Sequence, residues 1–291
     1  MKNLYLISRK NSDKTSFDLL KKSAEDRNIC VKPIYTEDFD FTKNIILTKN
    51  DALYNLCDDS SSIIIEKALI NDKVASFYTE YLNCIYKKSD VDDITSYIIH
   101  SKNNLPTIKS ILIFNNDKES LNRYSKYLGG FPIIIKALNG SHGVGVMKID
   151  SLESLYSVSD YLYNQNDDFI LRQFINYKEH ARLIVLGDKV ISSIEYKKIK
   201  NDFRSNSGKN LNIVNKTFGS KVESIAIKSV SSLGYEFGGV DILIDKHGNP
   251  FIAEVNFPCY FPRAQQYSNI DISGQMIDFL IDKSKGKIVT K

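Results

Sequence analysis

The sequence predicts an α/β domain followed by a larger α+β body. Near the amino terminus, short apolar runs alternate with a helical pattern, which is typical of an open parallel sheet. From Leu105 onward, several strand-like runs follow one another with few helices between them, which favours antiparallel hairpins. At 291 residues, the chain is long enough for more than one compact unit.

The α/β prediction rests on three apolar runs and two helical patterns. Phe17, Leu20 and Ala24 recur at helical spacing, and a serine at the start of the second helix is its expected cap. A domain boundary is expected near 87–90, before a helix at 91–101. The predicted strands are Asn3–Ser8, Cys30–Tyr35 and 44–49, and the predicted helices are 15–28 and 61–70.

The α+β prediction rests on short apolar runs that continue to a closing amphipathic helix. Because most of these runs are separated by turn-forming residues, neighbouring strands are expected to pair as hairpins. The predicted strands are 108–114, 131–138, 145–149, 168–175, 181–187 and 190–199, followed by a hairpin of 241–245 and 250–255. The predicted helices are Leu152–Asn164, 221–233 and 272–283.

Composition argues against several classes of protein. Hydrophobic residues make up 42% of the chain and charged residues 25%, as in an ordinary globular protein. A net charge of +4 is too modest to indicate a nucleic-acid partner. The apolar run 4–7 is too short for a signal peptide or a membrane span. The four cysteines have neither CxxC nor zinc-type spacing. We therefore expect a cytoplasmic protein with reduced thiols and no membrane partner.

A glycine-rich segment, KALNGSHGVGV, begins at Lys136 between two β-branched runs. It is not a P-loop, because neither GKS nor GKT follows, and it does not fit the dinucleotide pattern that precedes a helix. Gly140, Gly143 and Gly145 can form a flexible hairpin whose backbone N–H groups fold over phosphates, and Lys136 adds a positive charge. The alternative is an ordinary hairpin that uses glycine for its turn.

Three oxygen-bearing side chains converge in the predicted C-terminal hairpin. Glu254 and Asn256 are two residues apart, so in a strand both point to the same face. With a loop at 246–249, Asp241 falls directly across from Glu254. Two carboxylates and an amide suit Mg²⁺, which takes its other ligands from water and substrate phosphates. The alternative is an exposed polar face of an edge hairpin.

A basic segment, NDFRSNSGKN, lies between the glycine-rich segment and this hairpin. Arg204, Asn206 and Lys209 are its candidate anion ligands, with a solvated loop as the alternative. Arg182, at the head of a strand, is a further candidate, with a surface salt bridge as its alternative. GxSxG and HExxH are absent from the sequence, and Cys259 lacks a placed base, so hydrolase chemistry is not indicated. Together, the three segments indicate a protein that handles the triphosphate of ATP.

Four segments, in their order along the chain, resemble the ATP-grasp superfamily and, within it, the RimK-type carboxylate–amine ligases. They are KALNGSHGVGV, DFRSN, GVDIL and EVN. The resemblance spans about 105–283 and extends to the amino terminus only in pattern. It implies an ATP-grasp fold with a pre-ATP-grasp domain at 1–88, a small lobe with the glycine-rich loop at 89–171 and a large lobe with the metal site at 172–291.

The resemblance also implies a role for each candidate residue around a nucleotide held between the two lobes. Arg204, with Asn206 beside it, would stabilise the transferring phosphoryl group together with Lys209, and Arg182 would face an acyl phosphate or carboxylate. The implied nucleotide contacts are Lys136, Gly140, Ser141, His142, Gly143, Gly145, the hinge residues Arg172, Gln173, Phe174 and Ile175, and Lys209. The implied metal ligands are Asp241, Glu254 and Asn256.

The chain departs from the family's pattern in several places. Val91 stands where a first ATP-binding lysine is usual, with Lys88 as a substitute, and the hinge lacks the usual glutamate. His180 stands where a ribose-binding carboxylate is expected, with Glu179 as a replacement. After EVN, FPCYFPR replaces a small, glycine-containing loop at the place where the acceptor amine would approach.

The implied function is an ATP-dependent ligase that joins a carboxylate to an amine through an acyl phosphate. The cofactors are ATP and Mg²⁺, with Mn²⁺ as an alternative. The bond formed is a peptide or isopeptide bond between small-molecule or peptide substrates, and a homo-oligomer is left open. The alternatives are a peptide-macrocyclising enzyme of the same superfamily and an ATP-binding regulatory protein without turnover.

Overall fold

The computed structural model describes residues 1–43, 45–79, 93–138, 144–200, 202–206 and 211–287. Within these ranges, the chain forms three β-sheets with helices packed against them. No helix in the same ranges combines the length and the hydropathy that crossing a membrane requires.

The amino-terminal unit is a small parallel sheet. Its strands are β1 (Asn3–Ser8), β2 (Cys30–Tyr35) and β3 (Asp51–Asn55), and its helices are α1 (Thr15–Glu25) and α2 (Ser60–Leu69). The strand order is β2–β1–β3, with both pairs parallel. Parallel neighbours need a crossover connection, and α1 supplies the one between β1 and β2. The predicted α/β unit is therefore confirmed.

Two details of this unit correct the sequence prediction. The third strand is β3, and none of the described residues 45–49 belongs to it. Asp51 accepts hydrogen bonds from the backbone N and the hydroxyl of Thr48, each at 2.8 Å, and this turn delays the start of the strand. Leu47 is nevertheless buried, whereas Ile45 and Ile46 of the same apolar run are exposed. The cap of α2 is Asp59, which accepts from Ser62 N at 3.1 Å, and not a serine.

The small lobe is an antiparallel sheet covered by two helices. After α3 (Asp93–Lys102), its elements are β4 (Ser110–Leu112), α4 (Lys118–Tyr127), β5 (Ile133–Ala137), β6 (Val146–Ile149), α5 (Leu152–Asn164) and β7 (Phe169–Gln173). The strand order is β4–β7–β5–β6. Ile133, Ile135 and Leu171 form its core with Leu121 and Leu155 of the helices. This packing leaves the other face of the sheet for the interior of the molecule.

The large lobe is a five-stranded antiparallel sheet with helices on both faces. Its elements are β8 (Tyr177–Leu186), β9 (Lys189–Tyr196), β10 (Ile213–Asn215), α6 (Ser220–Ser232), β11 (Phe237–Asp245), β12 (Pro250–Asn256), α7 (Pro262–Ser268) and α8 (Ile272–Ser284). The strand order is β10–β9–β8–β11–β12. Ala226 and Val230 of α6 pack on one face. The other face includes Ile194 and packs against Leu6 of the amino-terminal sheet.

The lobes join at the connection between β7 and β8. The predicted division at 171/172 falls inside β7, so the change of sheet occurs a little later, between Gln173 and Tyr177. The predicted division at 88/89 lies outside the described residues. Three elements, α4, β10 and α7, have no counterpart among those predicted from the sequence. Of these, α4 is mostly polar and contributes mainly Leu121 to the core, so its pattern is weak.

The corrected cap of α2 can be tested by measuring stability. Asp59→Ala removes the carboxylate that accepts from Ser62 N, and we expect it to lower the free energy of unfolding by about 1 kcal/mol. Ser61→Ala is the matched control, because Ser61 is exposed on the first turn and should change the stability very little. Urea denaturation of both variants provides the measurement. Equal losses for the two variants would contradict the assignment of the cap.

Candidate active site

A cavity of about 190 Å³ lies between the four-stranded and the five-stranded sheets. One part of its wall is apolar and another carries charged side chains of both signs, a combination that suits an organic ligand with anionic groups. The small lobe and the hinge contribute Ile108, Ile134, Lys136, Val144, Val146, Arg172, Gln173, Phe174 and Ile175. The large lobe contributes Tyr177, His180, Phe203, Arg204, Ser205, Asn206, Asp241, Leu243, Ala253 and Glu254.

The glycine-rich segment connects β5 to β6, as the sequence predicts. Lys136 lies opposite Val146 in this antiparallel pair and lines the cavity. Gly145 has φ of 80°, a conformation that other residues rarely adopt, and its carbonyl accepts from Ala137 N at 3.0 Å. The candidate residues Gly140, Ser141, His142 and Gly143 lie outside the described residues. The structure therefore places both ends of the predicted phosphate cover at the cavity.

The hinge residues line the cavity, and Arg172 also links the two sheets. Its Nε donates to Ser110 Oγ at 3.1 Å, and its Nη2 donates to the carbonyl of Ala253 in β12 at 3.0 Å. Gln173, Phe174 and Ile175 follow it along the wall. Arg172 thus connects the two sheets through hydrogen bonds. Contact of the hinge residues with adenine stays a prediction.

The C-terminal hairpin pairs Asp241 with Glu254 as predicted, although its register shifts by one residue between Asp241 and Ile242. β11 and β12 are joined by the loop 246–249, and Asp241 pairs with Glu254 across the two strands. Both side chains line the cavity, with Asp241 buried and Glu254 exposed. Asn256 donates from Nδ2 to Asp241 Oδ2 at 3.3 Å. The three candidate metal ligands therefore lie together, and two of them, Asp241 and Glu254, line the cavity.

Asp241 is a buried carboxylate surrounded by donors. It is 2% exposed. His180 Nε2 lies 3.1 Å from its Oδ1, and Arg182 Nε lies 3.1 Å from the same atom, at an angle that makes the second contact ionic rather than a directed hydrogen bond. Burial alone raises the pKa of Asp241, but Arg182 and His180 outweigh burial and leave this pKa below its ordinary value. The carboxylate is therefore charged at neutral pH.

The donor set fits an open site for a hard cation. Among the described residues, no three or more His, Cys, Asp or Glu side chains gather into a metal cluster. Asp241 and Glu254 supply carboxylates, and Asn256 supplies an amide oxygen because its nitrogen already donates to Asp241. Mg²⁺ is commonly held by one or two carboxylates, with waters and substrate phosphates completing the octahedron. These residues suit that mode of binding.

Arg182 lies beside the hairpin and behind the cavity wall. Its Nη1 donates to the carbonyl of Gly239 at 3.3 Å, and the side chain is 14% exposed. Its predicted contact with an acyl phosphate or carboxylate stays a prediction. Cys259 is buried near Gly239 and Arg182, and burial raises the pKa of its thiol to about 11. A thiol that stays protonated at neutral pH agrees with a structural role for this cysteine.

The loop 202–206 brings Arg204 and Asn206 to the cavity. Asp202 accepts from Arg204 Nε and Nη2, each at 3.0 Å, and this two-pronged contact orients the guanidinium. Asp202 also accepts from Arg204 N at 2.9 Å, which closes a local turn. Lys209 lies outside the described residues. Sequence reasoning missed Asp202, although an aspartate two residues before the arginine was a readable signal for this turn.

Glu179 and His180 point to opposite sides of β8. Glu179 pairs with Lys216 Nζ at 2.8 Å, away from the cavity lining, whereas His180 lines the cavity. Alternation along the strand explains the difference. The structure does not bring Glu179 together with the other candidate nucleotide contacts.

Comparisons with known proteins show the family and the fold of the chain. A family model described as the RimK-like ATP-grasp domain matches residues 91–280. A probable alpha-L-glutamate ligase of Trichodesmium erythraeum (strain IMS101) is 31% identical over 176 residues, which are 60% of this chain and 58% of that protein. A protein of the same name from Serratia proteamaculans (strain 568) is 28% identical over 160 residues, which are 54% of this chain and 53% of that one. The chain thus spans little more than half the length of these relatives.

Solved structures share the fold over nearly the whole chain. The ATP-grasp ligase PsnB, complexed with a minimal precursor, has a TM-score of 0.73 at 16% identity, covering 97% of this chain and 100% of that one. The macrocyclase MdnC of Microcystis aeruginosa MRC, bound with the precursor peptide MdnA, has a TM-score of 0.72 at 11% identity, covering 96% and 99%. At these identities the likeness shows the fold alone, and it confirms the ATP-grasp fold predicted from the sequence.

The packing of Arg182 against Gly239 can be tested by a substitution at Gly239. A Cβ at this position would lie against Cys259 Sγ and 2.6 Å from Arg182 Nη1, so Gly239→Ala must displace the thiol, the guanidinium or both. We expect the variant to lower the free energy of unfolding by about 2 kcal/mol, the order of an overpacked core. Gly219→Ala is the matched control, because nothing lies within 4 Å of its added Cβ. Urea denaturation of the pair is the measurement, and a Gly239→Ala variant as stable as its control would contradict this packing.

Proposed function

The chain belongs to the RimK-like ATP-grasp family, and on that premise we propose that it is an ATP- and Mg²⁺-dependent ligase that joins a carboxylate to an amine. One observation carries the proposal: the Asp241–Glu254 pair and the cations Lys136 and Arg204 border the same cavity. An apolar wall lies beside these charges. ATP, with its aromatic base and its anionic tail, has the complementary form.

The nucleotide fits with its phosphates between Lys136 and the Asp241–Glu254 pair. In this placement the adenine lies against Gln173, Phe174 and Ile175, and the glycine-rich segment covers the phosphates. Asp241, Glu254 and Asn256 would hold Mg²⁺ or Mn²⁺, which neutralises charge on the phosphate oxygens when it is bound. Glu179 pairs with Lys216 instead, so nothing supports a contact between Glu179 and the ribose.

The reaction begins with a free carboxylate, which is a poor electrophile. Transfer of the γ-phosphoryl group of ATP to a carboxylate oxygen gives an acyl phosphate and ADP. The amine then forms a bond to the acyl carbon, the carbon–oxygen bond to phosphate breaks, and the amine loses a proton. Arg204 and Asn206 border the place of transfer, and Lys209 joins them in this proposal. The chain's residues act by positioning and by neutralising charge.

Peptides or small amino acids are the proposed substrates. The relatives are named as probable alpha-L-glutamate ligases, and the structural neighbours PsnB and MdnC bind precursor peptides. The product is therefore a peptide or isopeptide bond, and peptide macrocyclisation is the second candidate because MdnC shares the fold over 96% of this chain. A cytoplasmic location accompanies the proposal, since the reaction consumes ATP.

Product formation tests the proposal directly. The purified chain is incubated with ATP and Mg²⁺ and with amino acids or short acidic peptides, and ADP release is followed together with product mass. A ligase produces ADP and a product whose mass is the sum of the acid and the amine minus one water. A macrocyclase produces a peptide that is lighter by one water. Binding of ATP without ADP release for any acid–amine pair would favour the regulatory alternative instead.

Arg204 distinguishes a ligase from a protein that only binds nucleotide. A guanidinium can grip phosphate oxygens in a two-pronged geometry that lysine cannot reproduce. Because its contribution is larger in the transition state, Arg204→Lys should lower kcat about tenfold or more while the Kd for ATP changes much less. Arg263→Lys is the matched control, since Arg263 lies on α7 and outside the cavity lining. Weaker ATP binding with an unchanged kcat would reduce Arg204 to a nucleotide anchor.

A further inference from the structure

His180 uses both of its ring nitrogens to connect two parts of the site. Its Nε2 lies 3.1 Å from Asp241 Oδ1, and its Nδ1 lies 2.6 Å from Ser205 Oγ. The three residues are 5%, 2% and 1% exposed, respectively. Asp241 belongs to the hairpin that carries the proposed metal ligands, and Ser205 belongs to the loop that carries Arg204. One imidazole ring therefore spans the distance between these two groups.

The hydrogen bond between His180 and Asp241 can have only one direction. A charged carboxylate only accepts, so Nε2 donates to Asp241. A hydroxyl both donates and accepts, so Ser205 can satisfy Nδ1 whichever of the two roles that nitrogen takes. The imidazole ring is rigid, and its two nitrogens keep a constant separation. The chain Asp241–His180–Ser205 therefore fixes the loop relative to the hairpin without depending on a particular charge of the ring.

A second side chain of β8 supports the same loop from the same side. Tyr177 donates from its hydroxyl to the carbonyl of Phe203 at 2.8 Å. The contact of Arg204 with Asp202 is different, because both residues lie within the loop and cannot attach it to the sheet. Contacts from Tyr177 and His180 thus join the loop to β8, and of these two only the contact from His180 continues to the hairpin.

We propose that His180 is a positioning residue that holds Ser205, and with it Arg204 and Asn206, in register with the carboxylate of Asp241. Neither ring nitrogen is left for a nucleotide, so the residue acts through its neighbours and not as a ribose ligand. The loop and the hairpin consequently form one preorganised unit. The kinetic part of this inference rests on the proposed ligase function, and its structural part does not.

Two amide substitutions test whether both hydrogen bonds of His180 are needed at once, because each amide can keep only one of them. Asparagine at position 180 places its amide near the position of Nδ1 and can reach Ser205, whereas glutamine reaches towards the position of Nε2 and Asp241. If the bridge matters, both His180→Asn and His180→Gln should raise the rate of amide hydrogen exchange in the loop 202–206 by about tenfold or more. This measurement uses the protein without nucleotide or metal.

Ser205→Ala removes the other end of the bridge with little risk to folding. It should raise exchange in the loop at least as much, because the Ser205 side chain also contacts Tyr177. Adding His180→Gln to Ser205→Ala should give no further increase, because Ser205→Ala already breaks the Asp241–His180–Ser205 chain. His100→Gln is the matched control. His100 is another buried histidine, with its Nε2 3.1 Å from the carbonyl of Ser229, and it lies away from the loop. The His100→Gln variant should leave the rate of amide hydrogen exchange in 202–206 unchanged.

Turnover gives the second readout. With an acid–amine pair that supports ADP release, His180→Asn, His180→Gln and Ser205→Ala should each lower kcat about tenfold, with the Kd for ATP within about twofold of the original protein. A His180→Gln variant with normal exchange and normal kcat would overturn the proposal, as would additive effects of the two changes. If the unaltered protein releases no ADP with any pair, the ligase proposal fails, and hydrogen exchange alone still decides the role of His180.

Discussion

The buried, charged carboxylate of Asp241 is the constraint on which the arrangement of the large lobe depends. An unpaired charge in this position would cost several kcal/mol, so the surrounding strands must bring donors to it. β8 does so by placing Arg182 directly opposite Asp241 in the antiparallel pair, and β12 does so through Asn256. Gly239 lacks a side chain, which leaves room for the guanidinium. The same alignment puts Glu254 beside Asp241 at the cavity, so the compensation of one charge also assembles the proposed metal site.

The cavity exists because two sheets with different partners meet at one hinge. Each sheet buries its own apolar face, the small lobe under α4 and α5 and the large lobe under α6 and the amino-terminal unit. The site is enclosed by the uncovered face of the small-lobe sheet and by the part of the large-lobe sheet that carries His180, Asp241 and Glu254. Arg172 limits their relative movement because it donates to Ser110 in one sheet and to the carbonyl of Ala253 in the other. Closure over a nucleotide in this arrangement would have to preserve or exchange these two hydrogen bonds.

The sequence was sufficient for the parts of the site that depend on local periodicity. The pairing of Asp241 with Glu254 agrees with the strand period and the loop length, although the register shift after Asp241 was not predicted. The glycine-rich segment connects β5 to β6, as its position between two apolar runs indicates. The predicted position of the third strand and the predicted serine cap of α2 were wrong, because a turn at Asp51 and a carboxylate at Asp59 outweigh the local pattern. The bridge through His180 could not be predicted, since its partners are 25 and 61 residues away in the chain.

The Asp241–Glu254 face is proposed to hold a divalent cation that the nucleotide requires. Titration calorimetry of ATP, with Mg²⁺ and with a chelator in its place, tests this claim on the original protein and on Glu254→Gln. The original protein should bind ATP about tenfold or more tightly with Mg²⁺, and Glu254→Gln should lose most of that dependence while keeping its fold. A Glu254→Gln variant that retains the full effect of Mg²⁺ on ATP affinity would contradict the account.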